Sequence, residues 1–169
     1  MKKCVMILAV LSVFHSCKES EPTVSSEEVV EIPFVKEGEL EFLDAKDSVL
    51  MKIDIEIAET YNERARGLMD RSSMDENKGM LFLFDEDEIR EHTFYMKNTR
   101  IPLDIMYFSP DSVLINIAKN AQPGADSEMQ GGTVAAAKAP SKFVVEVNGG
   151  MAEKWGIREG ETKIRWKRN

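Results

Sequence analysis

The chain has 169 residues, 43% of them apolar, with 22 basic and 30 acidic side chains and a formal net charge of −8. That length and apolar share suit one domain with one hydrophobic core and exclude a disordered chain. The acidic balance repels phosphate backbones and anionic head groups, so nucleic acid is not expected as a partner.

Met1-Lys2-Lys3 precede an apolar run from Val5 to Phe14, broken only by Ser12. A basic start and a run of that length make a secretory signal, too short to cross a bilayer as a permanent anchor. The run ends at Phe14-His15-Ser16-Cys17, and a small residue before Cys at this point resembles the lipobox of bacterial lipoproteins. Phe14 stands where Leu is usual, and His15 where a small residue is usual. The resemblance implies a signal peptide over 1–16, a lipid on the Cys17 sulfur, and an exported chain anchored to a bacterial membrane in the cell envelope. Glu19 and Glu21 resemble the acidic signals that send some lipoproteins to the outer surface, and they are equally ordinary linker residues. Cys4 and Cys17 are the only cysteines, so the mature domain has no thiol for a disulfide, a zinc site or a nucleophile. Cleavage removes Lys2 and Lys3 from the 22 basic residues and none of the 30 acidic ones, which leaves a net charge of −10.

Residues 17–38, with Ser20, Pro22, Ser25, Ser26 and Pro33 among scattered Glu, carry no apolar period and read as a flexible acidic linker. A single β-rich domain is expected over 39–169, opening with a strand at Glu39–Leu43. Val49, Met51, Ile53, Ile55 and Ile57 alternate with Leu50, Lys52, Asp54, Glu56 and Ala58, which predicts a strand with one buried face. Thr60 with Glu63 three residues on is a capping box and predicts a short helix from Tyr61 to about Met69.

Residues 72–78 are turn-like, and Gly79–Phe84 is the next expected strand. The acidic run Asp85–Glu88 reads as a solvated loop, because it lacks the alternating ligands and Gly of a calcium loop. Strands are expected at Thr93–Met96 and Leu103–Phe108. Ser109-Pro110-Asp111-Ser112 suits a hairpin turn that brings Val113–Ala118 back antiparallel. Ala121–Thr133, holding Pro123, Gly124, Gly131 and Gly132, is the longest irregular stretch and the expected gate of any site. A strand at Lys142–Val147 and a short helix at Gly149–Trp155, stopped by Gly156, follow. In the last strand Ile164 and Trp166 alternate with Lys163, Arg165 and Lys167, whose charges are its solvent face. About eight short strands, two short helices and few long connections predict a mostly β domain of antiparallel hairpins, a sandwich or small barrel.

Arg64-Ala65-Arg66-Gly67-Leu68-Met69, Gly79-Met80-Leu81-Phe82, Phe94-Tyr95-Met96-Lys97-Asn98-Thr99, Pro102-Leu103-Asp104-Ile105 and Gly156-Ile157-Arg158-Glu159-Gly160-Glu161 stand in that order. From about Leu50 to Ile164 the chain resembles the bacterial and archaeal family known as domain of unknown function 192. Tyr95 stands where that family usually has Trp, and Glu161 where Asp is common. The resemblance implies a jelly-roll-like antiparallel β-sandwich, agrees with a signal peptide at the start, and implies no reaction.

Lys97, Asn98, Thr99 and Asp104 are the most promising polar group, with Arg64 and Arg66 as distant partners. By alternation Asp104 shares a face with Met106 and Phe108, where a carboxylate needs a cation or several donors. One reading has Asp104 accepting N–H bonds that order the loop, with Asn98 in a left-handed turn position. The other has Lys97, Asn98, Thr99 and Asp104 converging on a small polar or carbohydrate-like ligand, or on an envelope protein.

A hydrolase of cell-wall or glycan material would use Asp104 as acid or base, with Lys97 as electrostatic partner and Glu146 as a candidate second carboxylate. A structural scaffold would use neither. No catalytic residue is assigned. His92 is the only His after the signal, no Gly-x-Ser-x-Gly occurs, and Met69, Met80, Met96 and Met106 sit in apolar segments, so no metal or cofactor is expected.

Overall fold

The computed structural model describes residues 32–123 and 136–169. The signal peptide, Cys17, most of the linker and most of the Ala121–Thr133 loop lie outside them. Among the described residues the chain forms a mostly β domain, with strands β1 (Gly38–Leu43), β2 (Val49–Ala58), β3 (Lys78–Leu83), β4 (Leu103–Phe108), β5 (Leu114–Ala121), β6 (Phe143–Asn148) and β7 (Lys163–Arg168). Two short helices, α1 (Tyr61–Arg66) and α2 (Met151–Lys154), follow β2 and β6.

The strands form one sheet in the order β5-β4-β6-β3-β2-β1-β7. Its two edges meet at an isolated bridge, Val113 to Lys163, so the sheet curls toward itself without closing. Inward side chains such as Phe42, Ile55, Leu81, Met106, Phe108 and Val145 build the principal core. A second cluster covers the opposite face of β3, β4 and β6, where Phe82, Leu103, Ile105, Tyr107 and Val144 meet Leu68 and Met96. Two apolar faces on one sheet require cover on both, and the segments after β2 and β3 provide the outer one.

The turn at Ser109–Ser112 behaves as expected, and the alternation in β2 does so in part. Ile53, Ile55 and Ile57 are buried, but Val49 is exposed, and Glu56 and Ala58 are buried on the other face. Ser112 N–H donates to the Ser109 carbonyl (2.9 Å), and β4 pairs antiparallel with β5. Three expectations change. The β2–β3 pair is parallel, from Asp54 opposite Lys78 to Ala58 opposite Phe82, because the 59–77 connection is long enough to cross back over the sheet. The Thr60–Glu63 capping box forms, but the helix ends at Arg66, where Gly67 takes φ 47° and its N–H returns to the Glu63 carbonyl.

Thr93–Met96 is not a strand, and the described residues form seven strands where about eight are expected. β3, β4 and β6 already have neighbours on both edges, so no ladder is open to that segment. Its side chains hold it instead: Met96 is fully buried, and Phe94 packs edge-on against Phe82 and Tyr107 with centroids 4.9 and 5.9 Å away.

Gly79 shows why a glycine opens β3. A Cβ there would lie 2.7 Å from the Glu146 carbonyl oxygen, so β3 approaches β6 only without a side chain at that position. The end of the expected linker is held against β2. Val35 N–H donates to Glu56 Oε1 (2.9 Å), Ile57 N–H donates to Glu37 Oε2 (2.6 Å), and Glu56 forms a buried ion pair with Arg71 (2.5 Å).

Candidate functional site

Asp104 points inward from β4 and is buried. Leu103 pairs with Ala121 and Ile105 with Ala118, so two residues of β5 oppose Asp104 in a bulge. Asn120, with φ 48°, supplies one N–H the ladder leaves over, and it donates to Asp104 Oδ1 (2.8 Å). The Ala152 N–H donates to Oδ2 (2.8 Å), in place of the side-chain cap that Gly150 cannot provide to α2. Asp104 therefore orders the β5 bulge and the start of α2.

Lys97 and Asn98 form a turn closed by Thr99 N–H to the Met96 carbonyl (3.2 Å). Asn98 has φ 53°, and its carbonyl accepts from Asp70 N–H (2.8 Å). The six candidates thus separate. Asp104 lies on the inner face, and Lys97 and Asn98 shape a turn. Thr99, Arg64 and Arg66 line a cleft on the outer face.

That cleft, of about 280 Å³, opens between α1 and residues 88–95. Glu146 lines it. Register puts Glu146 between Met80 on β3 and Ile105 on β4, on the outer face with Val144 and opposite to Asp104. Burial alone pushes its carboxyl up to about 8. The suggested Asp104–Glu146 pair is thus divided by the sheet itself.

His92 is 5% exposed, its Nε2 has no hydrogen-bond partner among the described residues, and burial, reinforced by the Arg90 charge, lowers its pKa. Its ring stacks on Phe84 (centroids 3.6 Å apart), with the Arg64 guanidinium 4.9 Å from that ring's centre. Arg64 grips Glu88 through two hydrogen bonds (2.8 and 2.9 Å) and also donates to the carbonyls of Leu83 (2.9 Å) and Glu59. Phe82, Phe94, Tyr61 and Tyr95 supply ring surface, and Tyr95 Oη donates to the Ala65 carbonyl (3.3 Å).

The sequence offers Glu146 only as a partner for Asp104 and His92 only as the one histidine after the signal, and places neither beside Arg64, Arg66 and Thr99. The available signal was a lone acid inside Phe143-Val144-Val145-Glu146-Val147, an otherwise apolar strand. No group of three or more His, Cys, Asp or Glu placed to hold a metal occurs among the described residues.

A family model described as DUF192, an uncharacterised group, matches residues 42–166, most of the chain. The chain belongs to the domain of unknown function 192 family. Among solved structures, this DUF192 chain is similar to a protein of unknown function from Novosphingobium aromaticivorans. They share 34% identity over 76% of this chain and 84% of that one, with a TM-score of 0.65. It is also similar to a Sinorhizobium meliloti protein named as a candidate transcription regulator, at 29% identity over 82% of this chain and 98% of that one, TM-score 0.65. No curated protein matches it. The DUF192 family is uncharacterised, and its model carries no reaction over to the cleft.

Proposed function

We propose that this domain binds a small polar, carbohydrate-like ligand in the cleft between α1 and residues 88–95. The observation that carries the reading is Glu146, an acid buried among Met80, Ile105 and Val144 yet lining an opening. A buried acid without a cation costs stability that a valine, as at its neighbours, would not. At neutral pH Glu146 keeps its proton, so it offers both a donor and an acceptor to a ligand hydroxyl.

Neutral His92 adds a second polar atom, and the aromatic rings supply the apolar wall on which a sugar ring packs. A hydrolase would use Glu146 as general acid, but it also needs an ionised partner free to act. Glu88, the other carboxylate lining the cleft among the described residues, is gripped by Arg64. Binding therefore fits better than hydrolysis. The regulator name of the Sinorhizobium protein is not carried over, because a net charge of −8 opposes contact with phosphate backbones.

Isothermal titration of the full chain with neutral and acidic monosaccharides tests this reading. Glu146→Leu should keep the fold and weaken binding roughly ten-fold by removing the polar contact. Tyr61→Ala, at a residue 79% exposed, should weaken it about five-fold without changing the melting temperature. Affinity unchanged in both variants, or no binding of any sugar, rejects the cleft as the site.

Export and lipid anchoring at Cys17 belong to the same proposal, supported by the basic start, the apolar run and the Ser16-Cys17 ending. In a bacterial host, Cys17→Ser should lose palmitate labelling and move from the membrane to the soluble fraction. Labelling that persists in the variant would overturn the anchor.

A further inference from the structure

Arg66 and Arg90 both line the cleft, and both are exposed. Many basic side chains on this acidic domain have carboxylate partners, as Lys36 has Asp54 (2.7 Å), Lys52 has Glu39 (2.8 Å) and Lys163 has Asp47 (2.9 Å). Among the described residues neither Arg66 nor Arg90 forms an ion pair. The carboxyls beside them do not compensate their charge either. Glu88 is already neutralised by Arg64, and Glu146 keeps its proton at neutral pH.

Two guanidinium charges are thus left over at one opening of a chain with net charge −8. The last turn of α1 accounts for only part of this, since a helix C-terminus favours a cation at Arg66 but says nothing of Arg90. A second, independent feature lies in the same cleft: His92, more than nine-tenths buried, lines it and has an Nε2 with no hydrogen-bond partner among the described residues.

Resting on the ligand-binding reading above, we infer that the ligand is a monosaccharide-sized acidic sugar, its anionic group held by Arg66 and Arg90 and its hydroxyls directed to Glu146 and His92. A guanidinium offers paired N–H donors that match a carboxylate or a phosphate, so either acidic group satisfies the pair. A cavity of about 280 Å³ holds one sugar ring rather than an oligosaccharide.

Titration of the full chain at low salt with glucuronate, glucose 6-phosphate and glucose tests the inference. At least one acidic sugar should bind about ten-fold tighter than glucose, and the advantage should shrink as salt screens the charges. A response to glucuronate alone assigns a carboxylate, and a response to glucose 6-phosphate alone assigns a phosphate ester. Arg66→Gln with Arg90→Gln should reduce the preference to about two-fold or less, and Arg→Lys at both sites should restore part of it. Both side chains are exposed and form no ion pair among the described residues, so an unchanged melting curve will show that the variant is folded.

Equal affinity for all three sugars overturns the acidic-sugar inference and leaves the cleft reading standing. So does a preference that survives both substitutions. Absence of binding by any of the three overturns both.

Discussion

Glu146→Gln is expected to stabilise the domain by about 3 kcal/mol at pH 7 and about 5 kcal/mol at pH 9, and by almost nothing at pH 4. Burial pushes this carboxyl up to about 8 from its ordinary value of 4.5. The folded state therefore holds a proton that the unfolded state releases between pH 4.5 and 8. Stability from this group is fully present below pH 4.5 and is lost as pH rises through 8. Each pH unit in that window costs about 1.4 kcal/mol. Glutamine has nearly the same shape and no proton to lose, so its stability should not follow this slope. Urea denaturation of both proteins at pH 4, 7 and 9 measures the difference. Parallel pH profiles would show that Glu146 is solvated in the folded protein, and the cleft argument would fail with it.

Asp104→Ala should destabilise the domain by about 3–5 kcal/mol while leaving ligand affinity in the cleft unchanged. Its carboxylate accepts from the bulge N–H of Asn120 and from Ala152 N–H, and alanine would leave both donors without a partner. The effect should spread to α2 and to the segment behind it, since Trp155 packs on Phe42 (centroids 5.7 Å apart) and Ile157 lies in the core. Asp104→Asn keeps one acceptor but turns an amide N–H toward another donor, so it should recover less than half of the loss. A lower denaturant midpoint with an unchanged slope, together with intact sugar binding, is the expected pair of results. Loss of binding in folded Asp104→Asn would return the ligand to the Lys97–Asp104 corner.

The chain's own residues prescribe most of the local structure. Val49 to Ile57 alternate, Thr60 and Glu63 cap a helix, and Pro110 with Ser112 turns a hairpin, each through forces acting within a few residues. Thr93–Met96 has a comparable apolar composition and still forms no strand, because every neighbouring ladder position is taken by chain far away in sequence.

The same division runs through the site. A buried Asp104 was predictable from its place beside Met106 and Phe108, but its two donors come from residues 120 and 152, on β5 and α2. Glu146 is legible in the sequence only as an acid in an apolar strand and as a partner offered to Asp104, from which the sheet divides it. Its chemistry arises because register sets it between Met80 and Ile105, and because the crossover carrying α1 lies over that face. Alternation decides which residues lie on opposite faces of a strand, since side chains turn over at every step. What covers each face, and where that cover leaves an opening, follows from long-range packing and is a property of the folded sheet alone.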